Sequence, residues 1–201
     1  MGLQGVFARV RGRGFVVGVL LVGLLAGCSS GAPVVEPSLP VVSQAPSPVP
    51  SPSPTGPVKP ERPADMERTD EVGAAAAAVY FLELYPYVKG TADLEEWQVI
   101  SFPEGCEFCT NLADSATEIA RAEQTFMGGE VVAQASKVYP LDTLYGAFPL
   151  DVKVDQAKLS IVAKDGTVVS AEPATSVVLR VVVAHDGTAW RLMDVGEGNA
   201  S

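Results

Sequence analysis

Proline decides first what this chain can fold into. Eleven of the 36 residues from 29 to 64 are proline, and those at 46, 48, 50, 52 and 54 fall at every second position. A proline has no backbone N–H and a fixed φ, so such a stretch builds neither helix nor sheet. It favours extended polyproline II, and at about 3.1 Å per residue it reaches at most roughly 110 Å. The 201-residue chain is thereby divided into an apolar leader, a stiff spacer and about 130 further residues, a usual size for one domain with its own core.

The leader reads as an export signal. Arg9, Arg11 and Arg13 precede an apolar run of 12 residues from Phe15 to Ala26. A membrane span takes roughly 20, so this run is too short to be one. A charged start, a short apolar run and small residues at the end form the signal-peptide pattern. The arginines are never adjacent, which favours the general secretory route. The run ends in Leu25-Ala26-Gly27-Cys28, which resembles the lipobox of bacterial lipoproteins. That resemblance implies that residues 1–27 are removed and that Cys28 carries a diacylglyceryl group. The chain is then expected on the extracytoplasmic face of the cell membrane, held there through the lipid on Cys28. Two acyl chains anchor firmly where one is marginal. Residues 28–64 become the lipidated cysteine and its disordered spacer. The Ser/Thr-Pro composition of the spacer also resembles stretches that carry O-linked sugars.

Charge narrows the partners. From Asp65 onward 9 basic residues face 22 acidic ones. Such a surface repels phosphates and anionic headgroups, so neither nucleic acid nor direct contact with a bilayer is expected of the domain itself.

Residues 65–196 read as one α+β domain, followed by a tail over 197–201. Thr69 is placed to cap a helix, with Asp70 and Glu71 in its first turn and the alanines 74–78 after them. Pro86 and Gly90 are expected to end it. Asp93 and Glu96 have the spacing of a capping box for a short second helix, whose apolar side is Leu94, Trp97 and Ile100. A third helix is expected from Thr110 or Asn111, with Leu112, Ala116, Ile119 and Phe126 as its buried stripe and Gly128-Gly129 as its stop. The apolar period then drops to two. Residues 131–139, 152–163, 168–184 and 189–195 read as strands, and Asp165-Gly166 and Asp186-Gly187 as hairpin turns. The expectation is three N-terminal helices packed on a curved, mostly antiparallel four-stranded sheet. Between its first two strands the residues 140–150 read as a loop.

The aromatic-rich first helix, the short second helix leading into a cysteine-bearing turn, the third helix and the ending Ala189-Trp190-Arg191-Leu192 together resemble the cone-shaped nuclear-transport-factor-2-like fold. The lipobox, the Pro/Ser spacer, Tyr80-Phe81-Leu82-Glu83-Leu84-Tyr85 and Cys106-Glu107-Phe108-Cys109 together look like actinobacterial lipoproteins of domain of unknown function 6318. The resemblance covers nearly the whole chain. It implies a location and a fold class, and brings no activity and no catalytic residues with it.

The chemistry-bearing residues are few. Cys106 and Cys109 are expected to oxidise outside the cytoplasm and to clip the turn before the third helix. The rival reading is a thiol-disulfide oxidoreductase, because a helix N-terminus activates a thiolate. No metal site is expected, since zinc needs two further ligands and the chain has one histidine, His185, at the mouth of a turn. That lone histidine is a poor candidate for the acid/base pair of a small hydrolase or isomerase on a cone-shaped fold. Ser101, Ser115 and Ser136 lack a nucleophile setting. Asp151 and Asp155 read as surface charge on one strand face, and Asn199-Ala200-Ser201 as a chance match to a glycosylation acceptor. No cofactor is expected. The aromatics Tyr80, Tyr85, Tyr87, Trp97, Tyr145, Phe148 and Trp190 are candidates for the core. Tyr80, Tyr85, Trp97, Tyr145, Phe148 and Trp190 are also candidates for lining a pocket between helices and sheet. The function expected is a non-enzymatic binding or interaction module at the cell envelope, taking an envelope protein or a small apolar ligand.

Overall fold

A computed structural model describes residues 56–198. The signal stretch, Cys28, most of the spacer and Asn199 to Ser201 lie outside the described residues.

Asp70, rather than Thr69, caps α1 (Glu71–Glu83). Its carboxylate accepts from the N–H groups of Val72 and Gly73 at 3.1 and 3.3 Å. That satisfies two orphan donors and sets a negative charge at the positive end of the helix dipole. Ala74, Ala77 and Ala78 then lie fully buried. Pro86 does not end the helical region but opens α2 (Tyr85–Thr91), where it occupies the first turn and its missing N–H leaves no hydrogen bond unmade. Gly90 sits inside α2. The left-handed residue that closes it is Ala92, at φ 54°.

The expected capping box is also absent. Asp93 accepts from the Glu95 N–H at 3.2 Å and from the Tyr87 hydroxyl at 2.6 Å. Glu96 does not reach back; it accepts the Tyr80 hydroxyl at 2.7 Å instead. The short α3 (Glu95–Ile100) still buries Trp97 and Ile100 as its apolar side requires. α4 (Glu107–Arg121) starts at Glu107, with Cys106 as its cap, and buries Leu112, Ala116 and Ile119. It stops well before the double glycine. Glu123 turns left-handed at φ 51°, and the carbonyls of Ala120 and Ile119 accept the N–H groups of Glu123 and Gln124. Phe126 is therefore buried from a strand, not from the helix.

Seven strands follow: β1 (Thr125–Gly128), β2 (Val131–Val138), β3 (Ala147–Gln156), β4 (Leu159–Val162), β5 (Val168–Glu172), β6 (Thr175–His185) and β7 (Trp190–Glu197). Two of the long strands read from the sequence are each broken in two. One break falls at Ala157-Lys158 and the other at Pro173-Ala174, where proline offers no N–H to a ladder. The pieces separate into two antiparallel sheets, ordered β2-β3-β6-β7 and β1-β4-β5. Gly128 and Gly129, at φ 72° and 76°, make the turn between β1 and β2. A Cβ on Gly128 would lie 2.4 Å from the Lys158 carbonyl oxygen. Residues 147–150, read as loop, are the start of β3.

The α+β class with antiparallel sheets stands, with four α-helices among the described residues in place of three and two sheets in place of one. The register of the larger sheet puts Leu150 opposite Val181, Val152 opposite Leu179 and Val154 opposite Val177. These side chains turn to the helices, and the first two pairs together with Val154 are at most 3% exposed. Burying a side chain of this kind contributes about 1.5–3 kcal/mol, so this face and α1 form the core on which the rest is hung.

Candidate functional site

The six aromatics named for a pocket separate into two groups. Tyr80, Tyr85, Trp97 and Trp190 are at most 2% exposed, and Phe148 is 9% exposed. They meet other rings at the edge or at a tilt: Tyr85 with Phe126, Trp97 with Phe108, Phe148 with Trp190. Their polar atoms are also engaged. The indole N–H of Trp97 donates to the Cys109 carbonyl at 3.1 Å, and that of Trp190 to the Arg68 carbonyl at 3.0 Å. Buried indoles find such partners because an unpaired donor costs about 1–3 kcal/mol. Tyr145 stands apart, 73% exposed.

Tyr145 lines a groove of about 680 Å³ on the surface, with Val99, Phe102, His185, Arg191 and Met193 among its walls. That volume lies within the usual range for a small-ligand or side-chain site, roughly 300–1,000 Å³. Three turns build it. In the first, Asp142 Oδ1 accepts the N–H groups of Leu144 and Tyr145 at 2.8 and 3.3 Å. This local bond shapes the turn and leaves Leu144 80% exposed beside Tyr145. In the second, Asp186 Oδ1 accepts from the Thr188 hydroxyl and from the N–H groups of Thr188 and Ala189, while its Oδ2 takes Arg191 Nε at 2.7 Å. The Thr188 hydroxyl first, then the backbone donors and Arg191, hold the Asp186 carboxyl far below the usual carboxylate range.

The third wall is the segment after α3. Phe102 N–H donates to the Leu192 carbonyl at 3.0 Å, so this segment runs along β7. Cys106 and Cys109 are joined by a disulfide with their Cα atoms 5.2 Å apart. Both are buried, at 0% and 2% exposure, and Cys109 Sγ lies 3.9 Å from the Leu192 carbonyl. The bridge thus closes the turn behind Phe102 and faces the core.

Four of the groove's polar residues, Ser101, His185, Asp186 and Arg191, are already engaged in the fold. Ser101 Oγ donates to the Trp97 carbonyl. His185 is half-buried, accepts the Gly187 N–H on Nδ1 at 3.2 Å, and meets Trp190 edge-on at 5.2 Å. Asp186 and Arg191 serve each other. Among the described residues no group of three His, Cys, Asp or Glu is placed to hold a metal ion. What the groove offers is apolar: Val99, Phe102 and Tyr145 in its lining are 54%, 41% and 73% exposed.

Asp151, read as ordinary surface charge, is not. It is 2% exposed, although it stands on the sheet face away from the helices. Its oxygens accept Arg180 Nε at 2.7 Å and the Tyr139 hydroxyl at 2.8 Å. Arg180 and Lys137 both lie over the Tyr139 ring, at 4.5 and 4.2 Å from its centroid. The Arg180 hydrogen bond, against the opposing effect of burial and with help from Tyr139, keeps this carboxyl below its ordinary value. Asp155 on the same face is exposed and pairs with Lys153 at 3.1 Å. The sequence signal for the groove residues was the Asp-x-Leu-Tyr-Gly turn, which shows large apolar residues to solvent. Nothing local in the sequence signals the Asp151 cluster, because its members come from β3, β6 and the end of β2 with the residue after it.

The profile of a family of unknown function (DUF6318) matches residues 52–196. No curated protein is significantly similar to the chain. Among solved structures, the intermembrane space region of chloroplast protein ARC6 aligns with a TM-score of 0.50 at 10% identity, covering 65% of this chain and 99% of that one. An uncharacterised protein with a cystatin-like fold from Caulobacter vibrioides aligns with a TM-score of 0.33 at 17% identity, over 64% of this chain and 87% of that one. Likeness at such identity concerns the fold alone.

Proposed function

The chain belongs to the DUF6318 family, and from that premise we propose a lipid-anchored lipoprotein of the actinobacterial cell envelope that acts as a non-enzymatic interaction module. Cys28 carries the lipid, the proline-rich segment lifts the domain off the membrane, and a cone of the nuclear-transport-factor-2-like kind presents the contact surface. That surface is the groove beside Tyr145. The observation that carries this reading is the lining: Val99, Phe102 and Tyr145 are 54%, 41% and 73% exposed around a cleft whose Ser101, His185, Asp186 and Arg191 are engaged in the fold. Exposed apolar groups gathered around a concavity mark contact sites, where scattered ones do not. The partner is a protein that inserts an apolar side chain between Phe102 and Tyr145. The disulfide supports the same reading, since two sulfurs with 0% and 2% exposure cannot meet a substrate thiol without opening the fold.

The test is site-directed photocrosslinking in cells. A crosslinking amino acid at position 145 is expected to capture one envelope protein in the membrane fraction. Phe102→Ala should remove that adduct, and Cys28→Ser should release the chain from the membrane and lose the adduct too. The reading fails if position 145 yields no more product than the exposed Val169, or if Cys28→Ser leaves the membrane fraction unchanged.

A further inference from the structure

The end of the proline-rich stretch does not stand clear of the domain. Pro57, Pro60 and Pro63 are half-buried, and the residues between them, Val58, Lys59, Glu61 and Arg62, are exposed. A polyproline II helix has three residues per turn, so prolines three apart share one face. A repeat of two would scatter them over all faces. Pro63 has φ −62° and ψ 137°, the polyproline II conformation. Each residue before a proline is steered to the same region.

A second stripe runs beside the first, also at a spacing of three. Lys59 Nζ meets Glu96 Oε2 at 2.8 Å, and Arg62 Nη2 stands 4.0 Å from Glu96 Oε1. Lys59 also lies over the Tyr87 ring at 5.7 Å, and Arg62 over the Tyr80 ring at 5.8 Å. The rings are fixed from below: the Tyr80 hydroxyl donates to Glu96 at 2.7 Å and the Tyr87 hydroxyl to Asp93 at 2.6 Å. Partial burial opposes charge on Glu96, but the Lys59 and Tyr80 hydrogen bonds overcome it and hold the carboxyl below its usual value. The far end fits as closely. A Cβ on Gly90 would lie 2.4 Å from Pro57 Cγ, so α2 has no side chain where the first proline rests.

We propose that Tyr80, Tyr87, Glu96 and the bare Gly90 form a binding site for a polyproline II segment, and that its occupant is this chain's own residues 57–63. Two aromatic faces and one carboxylate read the basic residues two places after the first and second prolines, and the bare Gly90 admits the first proline. Aromatic grooves suit this ligand because the segment is stiff before it binds and loses little conformational freedom. The domain therefore grips the end of its own stalk, and the last two turns of that stalk move with the body. The site is separate from the groove at Tyr145 and does not depend on the lipid.

The test is a distance measurement in the full chain carrying Cys28→Ser, with spin labels at the exposed positions Val58→Cys and Val169→Cys. Double electron–electron resonance is expected to show one narrow distance population. Glu96→Gln and, separately, Gly90→Ala should each more than double its width. Gly90→Ala guards against a folding defect, since alanine suits a helix interior better than glycine, and an unchanged circular dichroism spectrum confirms it. A broad distribution in the parent, or the same narrow one in both variants, overturns the proposal. So does a short distance between chains labelled at 58 alone that grows with protein concentration, because the occupant would then be a second copy.

Discussion

The interior between helices and sheet and the groove at Tyr145 are both rich in aromatic and aliphatic side chains, yet they are built for different ends. In the interior Trp97, Trp190, Tyr80 and Tyr85 are at most 2% exposed. Every indole there has a hydrogen-bond partner. At the groove the large apolar groups sit on turns whose own polar bonds are complete without them, and they face water. An apolar side chain in the first place stabilises the fold; in the second it contributes almost nothing to it and is free to serve a contact. Composition alone does not separate the two. The separation comes from which aromatics the strands and helices carry inward and which a turn holds out.

This difference can be broken by substitution. The largest effect is expected for Trp190→Ala, which empties a fully buried site and orphans the Arg68 carbonyl. It should cost about 3–5 kcal/mol and lower the melting temperature by more than about 10 °C. A small change in a thermal melt would show the interior to be loosely filled after all.

An intermediate effect is expected outside the interior, at Asp151. Asp151→Asn should cost about 1–2 kcal/mol, less than a fully enclosed pair because Arg180 can rehydrate. The same carboxyl gives a pH signature. Its folded pKa is depressed below 3.8 by Arg180, burial opposing. Its contribution is therefore complete above the unfolded value and lost as pH falls through the depressed folded one. Urea midpoints measured between neutral pH and about pH 3 should fall more steeply for the parent than for Asp151→Asn; parallel curves would count against the cluster.

The smallest effect sharpens the comparison from the other side. Tyr145→Ala should shift the urea midpoint by no more than about 0.5 kcal/mol in stability while removing the adduct formed by a crosslinking amino acid placed at the exposed groove residue Val99. A large loss of stability would mean that Tyr145 belongs to the core and that the groove is not a contact site.

Much of this architecture was readable in the chain. The apolar stripe Leu112, Ala116, Ile119 and the turns Asp165-Gly166 and Asp186-Gly187 are local signals, and each fell where its period and turn chemistry require. Pro86 was misread because a proline that ends one helix serves equally well as the first turn of the next. Phe126 kept the helical spacing and still left the helix, since Glu123 could turn left-handed without a glycine. The break at Pro173-Ala174 is marked by its proline, while the one at Ala157-Lys158 carries no glycine or proline to mark it. Only pairing with β1 makes a second sheet more favourable than one long strand. The stalk clamp was missed for a related reason. Its prolines follow directly on the alternating ones, and only the change of spacing from two to three sets them apart.

The bond between the Trp190 indole and the Arg68 carbonyl joins residues 122 positions apart, and β7 also meets the turn around the disulfide through Leu192. The helical half of the core therefore stays open on one side until the final strand arrives. During synthesis from the N-terminus, α1 to α4 emerge before the strands, and α1, α3 and α4 all meet β7. Long-range contacts of this kind are slow to form, so the side of the core around Trp190 and the disulfide is sealed only when β7 docks.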